Sequence, residues 1–205
     1  MNSPEKKLTV LDQICSADDV RRRIIETASA LYARKGYAAT SIEEIAETAG
    51  VTLPVTYHYV KRKSEIMRMI MEDLLNSFRE KVAIRVGSIR EPEQKLAEVM
   101  ALYAKAVDQQ KEKILLVYQK SGSLDTDSKA KIMQLEVEVS EIFGRIIQEG
   151  IDKGVFKEVD VDLTAFNIVM MAHMWVLKKW HFKRRFDLPR YVDFQLSNLM
   201  EGLRK

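Results

Sequence analysis

The stretch "SIEEIAETAGVTLPVTYHYVKRKSEI", residues 41–66, decides the fold. Ser41 and Glu44 stand three apart, the spacing of a capping box that satisfies unpaired amides at a helix start. Ile42, Ile45 and Ala46 then share one face, and Gly50 supplies a residue able to take the left-handed conformation that ends a helix. A further helix begins near Thr52 or Leu53. Pro54 falls in its first turn, where a missing N–H has no intrahelical acceptor to lose. Two short helices joined through "ETAGVT" make a helix-turn-helix, a corner of three to four residues that needs Gly and small side chains. Ala46 occupies the position where a larger group would push the helices apart, and Val51 anchors the second helix from below.

Upstream, Val20, Ile24, Ala28, Leu31 and Tyr32 recur at three- and four-residue steps, predicting a helix from Asp18 to the Lys35-Gly36 pair. Asp18 and Asp19 suit its N-terminus, where carboxylates meet free amides and the positive end of the dipole. Downstream, a long helix is expected over 63–86, with Ile66, Met69, Ile70, Leu74 and Phe78 in register. Further helices are expected over 92–109, opened by Pro92, and over 111–121, 127–153 and 160–183. The last opens at Pro189 and closes near Gly202. Strict alternation is absent, so the class is all-α with about nine helices.

Composition agrees. Of 205 residues, 46% are hydrophobic and 31% charged, a balance able to bury a core. Four Pro and eight Gly leave room for long helices. A net charge of +3 does not by itself call for a polyanionic partner. The lone Cys15 cannot form an internal disulfide and fits a reducing compartment. The longest apolar run, "FNIVMMAHMWVLKKW", carries His173 and falls short of the ~20 residues a membrane span needs. With no targeting signal at the start, a cytoplasmic protein is expected. Three domains are delimited: an arm over 1–17, a helix-turn-helix domain over 18–66, and a larger helical domain over 67–205.

Residues 21–66 resemble the DNA-binding domain of the TetR family of bacterial transcriptional regulators. The resemblance rests on "IIETASALYARKGYAATSIEEIAETAGV", residues 24–51, and "TYHYVKRKSEI", residues 56–66, in the family's order and spacing. It implies double-stranded operator DNA as partner. Thr40 and Ser41 would face phosphates, where free amides also favour an anion. Tyr57, His58 and Lys63 would hold the backbone, and Thr52, Leu53, Val55 and Thr56 would read bases through hydroxyl and thymine-methyl contacts. Arg21, Arg22 and Arg23 offer more phosphate contacts or a solvated face. One departure stands out: Leu53, Pro54, Val55 and Thr56 replace the family's Lys-Gly-Thr-Leu, so the operator cannot be copied from relatives.

In that family the larger domain dimerises and encloses a small-molecule pocket. Homodimerisation through the helix carrying "VMMAHMWVLKKW" and through the last helix is expected, matching a palindromic operator. Met100, Tyr103, Tyr118, Phe143, Met170 and Met174 are the candidate ligand-binding residues, Met being suited to adaptable cavities; each could equally be plain core, and His173 a satisfied core histidine. The closing "AHMWVLKKWHFKRRFDLPRYVDFQLSNLMEGL" resembles a subgroup that senses acyl-CoA in fatty-acid or sterol-side-chain degradation. This implies a hydrophobic thioester effector, with Lys178, Lys179, Lys183, Arg184 and Arg185 available to CoA phosphates. An apolar drug or aromatic compound is the competing effector class, and a helical interaction module without DNA binding the competing function. No nucleophile elbow, phosphate loop or metal-spaced His/Cys cluster points to catalysis, a metal or a cofactor.

Overall fold

The structure, a computed structural model, describes residues 17–120, 122 and 124–205. Cys15 and the arm before residue 17 lie outside the described residues. The chain divides into two compact units, Met1–Ile70 and Met71–Lys205. In the first lie α1 (Ala17–Lys35), α2 (Ile42–Ala49), α3 (Leu53–Tyr59) and the start of α4 (Lys63–Val86). In the second, α4 is followed by α5 (Pro92–Gln109), α6 (Lys111–Lys120), α7 (Thr126–Asp152) and α8 (Val161–Leu177). The short α9 (Lys179–Phe182) and α10 (Leu188–Leu203) complete it. Among the described residues there is no β-strand, only an isolated bridge between Phe156 and Arg204.

Each helix of the first unit contributes one apolar stripe. Ile24, Ile25, Ala28 and Leu31 of α1 are buried with Ile42, Ile45, Ala46 and Ala49 of α2. Val51, Val60, Ile66 and Ile70 close the core. The small Ala46 and Ala49 let the helices approach, as the corner requires.

In the second unit α7 lies against both α5 and α8, presenting Leu135, Val139, Ile142, Phe143, Ile146 and Ile147. Phe78, Tyr103 and Phe143 form an aromatic cluster with ring centroids 5.0 to 6.4 Å apart. Among the described residues nine helices of seven residues or more are present, and the four-residue α9 is a tenth, because the helix expected over 160–183 is not continuous. It breaks at Lys178, and a packing demand accounts for the break. Over seven residues a continuous helix rises about 10 Å, yet the Trp175 and Phe182 ring centroids lie 6.3 Å apart and both rings pack on Tyr191. Asp108 accepts hydrogen bonds from the Trp175 indole and the Lys179 ammonium, each at 2.9 Å, fixing the chain on either side of the break.

The end of α7 shows how tightly the second unit is closed. Phe156 is fully buried, and its ring lies where a Cβ on Gly150 would stand. Gly150 is therefore required for a close approach rather than for a turn. Gly150→Ala would force this ring aside, an overpacking cost of about 1–3 kcal/mol. Thermal unfolding should show a lower Tm for that variant; an unchanged Tm would mean that the ring has room to move.

Candidate functional site

The helix-turn-helix is built from its caps. Ser41 Oγ accepts from the Glu44 amide at 3.1 Å, opening α2. Gly50 ends it at φ 62°, in the left-handed region, and the Val51 amide turns back to the Ala46 carbonyl at 3.0 Å. Arg23 reaches over from α1 and donates to the carbonyls of Ala49 and Gly50, satisfying groups that α2 leaves without intrahelical partners. Of the three arginines offered for phosphate contact, Arg23 is thus committed to the corner, Arg22 pairs with Asp19 at 2.8 Å, and Arg21 donates to the Met69 carbonyl at 3.5 Å.

α3 begins at Leu53 with Pro54 in its first turn, where the ring costs no hydrogen bond. Its inner side is set by Thr56, fully buried, whose hydroxyl donates to the Thr52 carbonyl at 3.1 Å. Thr52, Leu53, Pro54, Tyr57 and His58 are exposed together, and Lys61 and Arg62 continue past the helix end. Val55 is half-buried beside them. Leu53, Pro54, Tyr57 and His58 are spaced i, i+1, i+4 and i+5, so they share one face.

Three residues expected at the DNA interface bond within the unit. Thr56 points into the core. Thr40 is also buried, its hydroxyl donating to the Gly36 carbonyl at 2.9 Å. Lys63 donates to the carbonyls of Tyr37, Ala38 and Thr40 at 2.9, 3.2 and 2.7 Å, and its ammonium stands 4.8 Å from the Tyr37 ring centroid. Three hydrogen bonds to the α1–α2 loop match its three ammonium protons, so Lys63 positions the start of α2.

Tyr57 is exposed, but its hydroxyl donates to Glu43 Oε1 at 2.9 Å. Glu43 is held below the usual carboxylate range by its own backbone amide, by Tyr57 and by Ser41. That carboxylate aligns the phenol and also opposes any anion approaching it. Neither Glu43 nor the exposed Pro54 and Lys61 was expected at this surface. For Pro54 and Lys61 the signal was their one-turn spacing with 57 and 58; for Glu43, on α2, spacing gave none.

The second unit holds an apolar cavity with an empty volume of about 470 Å³, its open mouth included. Met71, Leu74, Leu75 and Phe78 of α4 line one side. Tyr103 and Val107 of α5, Ile114 of α6, Leu135 and Glu136 of α7 and His173 of α8 are among its other walls. Of the expected ligand residues Tyr103 is in the wall. Tyr118 stands behind it, its hydroxyl 2.8 Å from His173 Nδ1. Met100 lines a separate small recess with Ile168 and Tyr191. Phe143 is fully buried core, and Met174 is exposed, so neither faces the cavity. Met170, half-buried, is not among the cavity's lining residues.

His173 sits between two phenols, with Tyr103 hydroxyl 2.8 Å from Nε2. Burial pushes its pKa from 6.5 down to about 4, so the ring is neutral near pH 7. Burial likewise drives the Tyr103 phenol well up and the Tyr118 phenol to about 12, with Glu136 adding to both. The Glu136 carboxyl is itself pushed up by burial. It was missed in the sequence, although 136 stands four residues after Ile132 and three before Val139, beside the buried stripe.

Among the described residues no cluster of His, Cys, Asp or Glu could hold a metal, and no helix is long and apolar enough to cross a membrane. Comparison with known proteins matches residues 24–70 to the family described as "Bacterial regulatory proteins, tetR family". Residues 90–181 match "Tetracyclin repressor-like, C-terminal domain". The HTH-type transcriptional regulator HbdR of Aromatoleum sp. (strain CIB) is 28% identical over 201 residues, 98% of this chain and 88% of that protein. The fatty acid metabolism regulator protein of Bacillus subtilis (strain 168) is 25% identical over 186 residues, 88% of this chain and 94% of its own length. The solved structure of the fatty acid degradation regulator FadR from Bacillus halodurans superposes with a TM-score of 0.74 at 22% identity. That match covers 89% of this chain and 99% of the other.

Two outcomes follow for stability. Lys63→Met leaves the loop carbonyls without their charged donor and should cost about 1–3 kcal/mol, read as a lower Tm. Unchanged Tm with lost DNA binding would return Lys63 to a phosphate-contact role. For His173, the folded pKa lies below the unfolded value, so the unfolded chain takes up the proton first. Stability should therefore fall as pH drops from 6.5 towards about 4, by about 3 kcal/mol at the lower end. His173→Gln should lack this component when melts of the two proteins are compared across that window.

Proposed function

The chain belongs to the TetR family of bacterial transcriptional regulators, and from that premise we propose that it is a homodimeric repressor. It would be released from a palindromic operator by a small hydrophobic effector, preferably an acyl-CoA or related thioester. As a helix-turn-helix regulator it binds DNA and is not an enzyme. The domain assignment is that residues 18–66 read the operator and residues 67–205 bind effector and partner.

The observation that carries the DNA assignment is the exposed face of α3. Thr52, Leu53, Pro54, Tyr57 and His58 project outward while Thr56 and Val60 hold the helix from beneath. Leu53, Pro54 and the half-buried Val55 supply apolar contact for thymine methyls, and Thr52 supplies a hydroxyl. Ser41, at the exposed N-cap of α2, with His58 and Lys61, supplies phosphate contacts, and Tyr57 joins them when its hydroxyl turns from Glu43 to a phosphate.

Dimerisation is supported by an unpartnered stripe on α8. Leu163, Phe166 and Met174 are exposed at 61%, 36% and 37%, with half-buried Met170 between them. Their steps of three, four and four residues put them on one face. Phe194 of α10 is exposed at 60%. A thioester effector is supported by the apolar cavity and by the two relatives whose names refer to fatty acids. Lys178, Lys183, Arg184 and Arg185 are exposed and could meet phosphates, whereas Lys179 is already paired with Asp108. Release needs the effector to bind the DNA-free shape of the dimer more tightly than the DNA-bound one.

A mobility-shift titration against the DNA upstream of the protein's own gene tests the reading. The double variant Tyr57→Ala, His58→Ala should bind at least about tenfold more weakly, since two phosphate-anchoring groups are lost. Equal affinity of variant and parent would remove α3 from the interface.

A further inference from the structure

The cavity of the second unit has one polar end, and its chemistry is more selective than its size. Among the described residues that line it there is no lysine or arginine, and Glu136 is the one carboxylate. Tyr103 and His173 line it too, with His173 bonded to Tyr103 and bridging to Tyr118. A neutral imidazole has one N–H and one bare nitrogen. Between two phenols it must therefore receive a proton from one hydroxyl and give its own to the other. The accepting phenol keeps its proton for a further acceptor. Of the two phenols, Tyr103 lines the cavity. With the proton on Nε2, the ring donates to Tyr103 and accepts from Tyr118 at Nδ1; in that tautomer the cavity has a donor from Tyr103 and an acceptor from Glu136, framed by apolar side chains.

We propose that this polar end selects a neutral hydroxyl: the effector is an otherwise apolar molecule or acyl group whose buried part carries one OH, donating to Glu136 and accepting from Tyr103. The inference rests on the reading of this cavity as the effector site and deepens it. A hydroxyl is both donor and acceptor and satisfies both walls at once. A hydrocarbon leaves Glu136 and a phenol proton desolvated without partners, which buried polar groups penalise. A carboxylate entering this end meets Glu136 with like charge and no cation to offset it. Any anionic portion of the effector must remain outside.

Three probes of similar size separate these cases: 4-ethylphenol, ethylbenzene and 4-ethylbenzoate, titrated calorimetrically into the full chain near neutral pH. The phenol should bind at least about tenfold more tightly than the hydrocarbon, and the benzoate at least about tenfold more weakly than the phenol. Tyr103→Phe should remove most of the phenol's advantage while leaving ethylbenzene unchanged. Glu136→Gln, of the same shape, should keep the phenol and bring the benzoate to within a few-fold of it. Equal binding of phenol and hydrocarbon, or a benzoate that binds parent and Glu136→Gln alike, overturns hydroxyl selection and leaves the cavity reading standing. Failure of all three probes to bind overturns the cavity as the effector site and this inference with it.

Discussion

The ammonium of Lys63, shared among the carbonyls of Tyr37, Ala38 and Thr40, is the contact on which the DNA-reading unit depends. The loop between α1 and α2 leaves these carbonyls without helical partners, and buried backbone groups must be satisfied somewhere. One cation at the first residue of α4 meets all three. The loop so fixed leads into Ser41, which caps α2. At the other end of α2, Arg23 does the equivalent for Ala49 and Gly50. A helix of eight residues is too short to hold itself in water, and here side chains from α1 and α4 clamp it at both ends. The direction of α3 then follows from the left-handed turn at Gly50 and the burial of Thr56.

The second unit meets the opposite demand. Its interior must stay closed without a ligand and still offer specific groups to one. Burial keeps His173 neutral, and neutrality lets it mediate between two phenols instead of repelling or attracting charge. The relay ties α5, α6 and α8 together through a single ring, so it is a structural tie and a polar wall at once. Glu136 differs: it is partly desolvated without a cation in the cavity wall. Such a group raises the energy of the empty site relative to a correctly filled one.

Much of the fold was legible because local rules agree with the tertiary structure. The Ser41–Glu44 spacing, Gly50, and the prolines at the starts of α3, α5 and α10 mark helix ends by mechanisms confined to a few residues. The break at Lys178 was not legible, because it answers to Trp175, Phe182 and Tyr191 meeting across the fold. In the site, the family resemblance pointed to Leu53, Tyr57 and His58, and all three are exposed. It did not show that Thr40, Thr56 and Lys63 also bond to this chain's own carbonyls, since a family's contact pattern says nothing of how hydroxyls and ammonium protons are used inside the unit. The cavity was the least legible part. Met174 and Phe143 have the residue types of a pocket, yet one faces outward and the other is core. Which side of an almost wholly apolar helix such as α8 faces a cavity is decided by its neighbours, not by its periodicity.

The central claim is that the α3 face enters a major groove twice, once per protomer of a symmetric dimer. Dimethyl sulfate protection on the upstream DNA tests it directly, because the reagent reports guanine N7, a major-groove atom. The account predicts two protected patches whose centres lie about one helical turn apart, or a multiple of it. Binding that leaves guanine N7 unprotected throughout, or that protects a single patch, would contradict it.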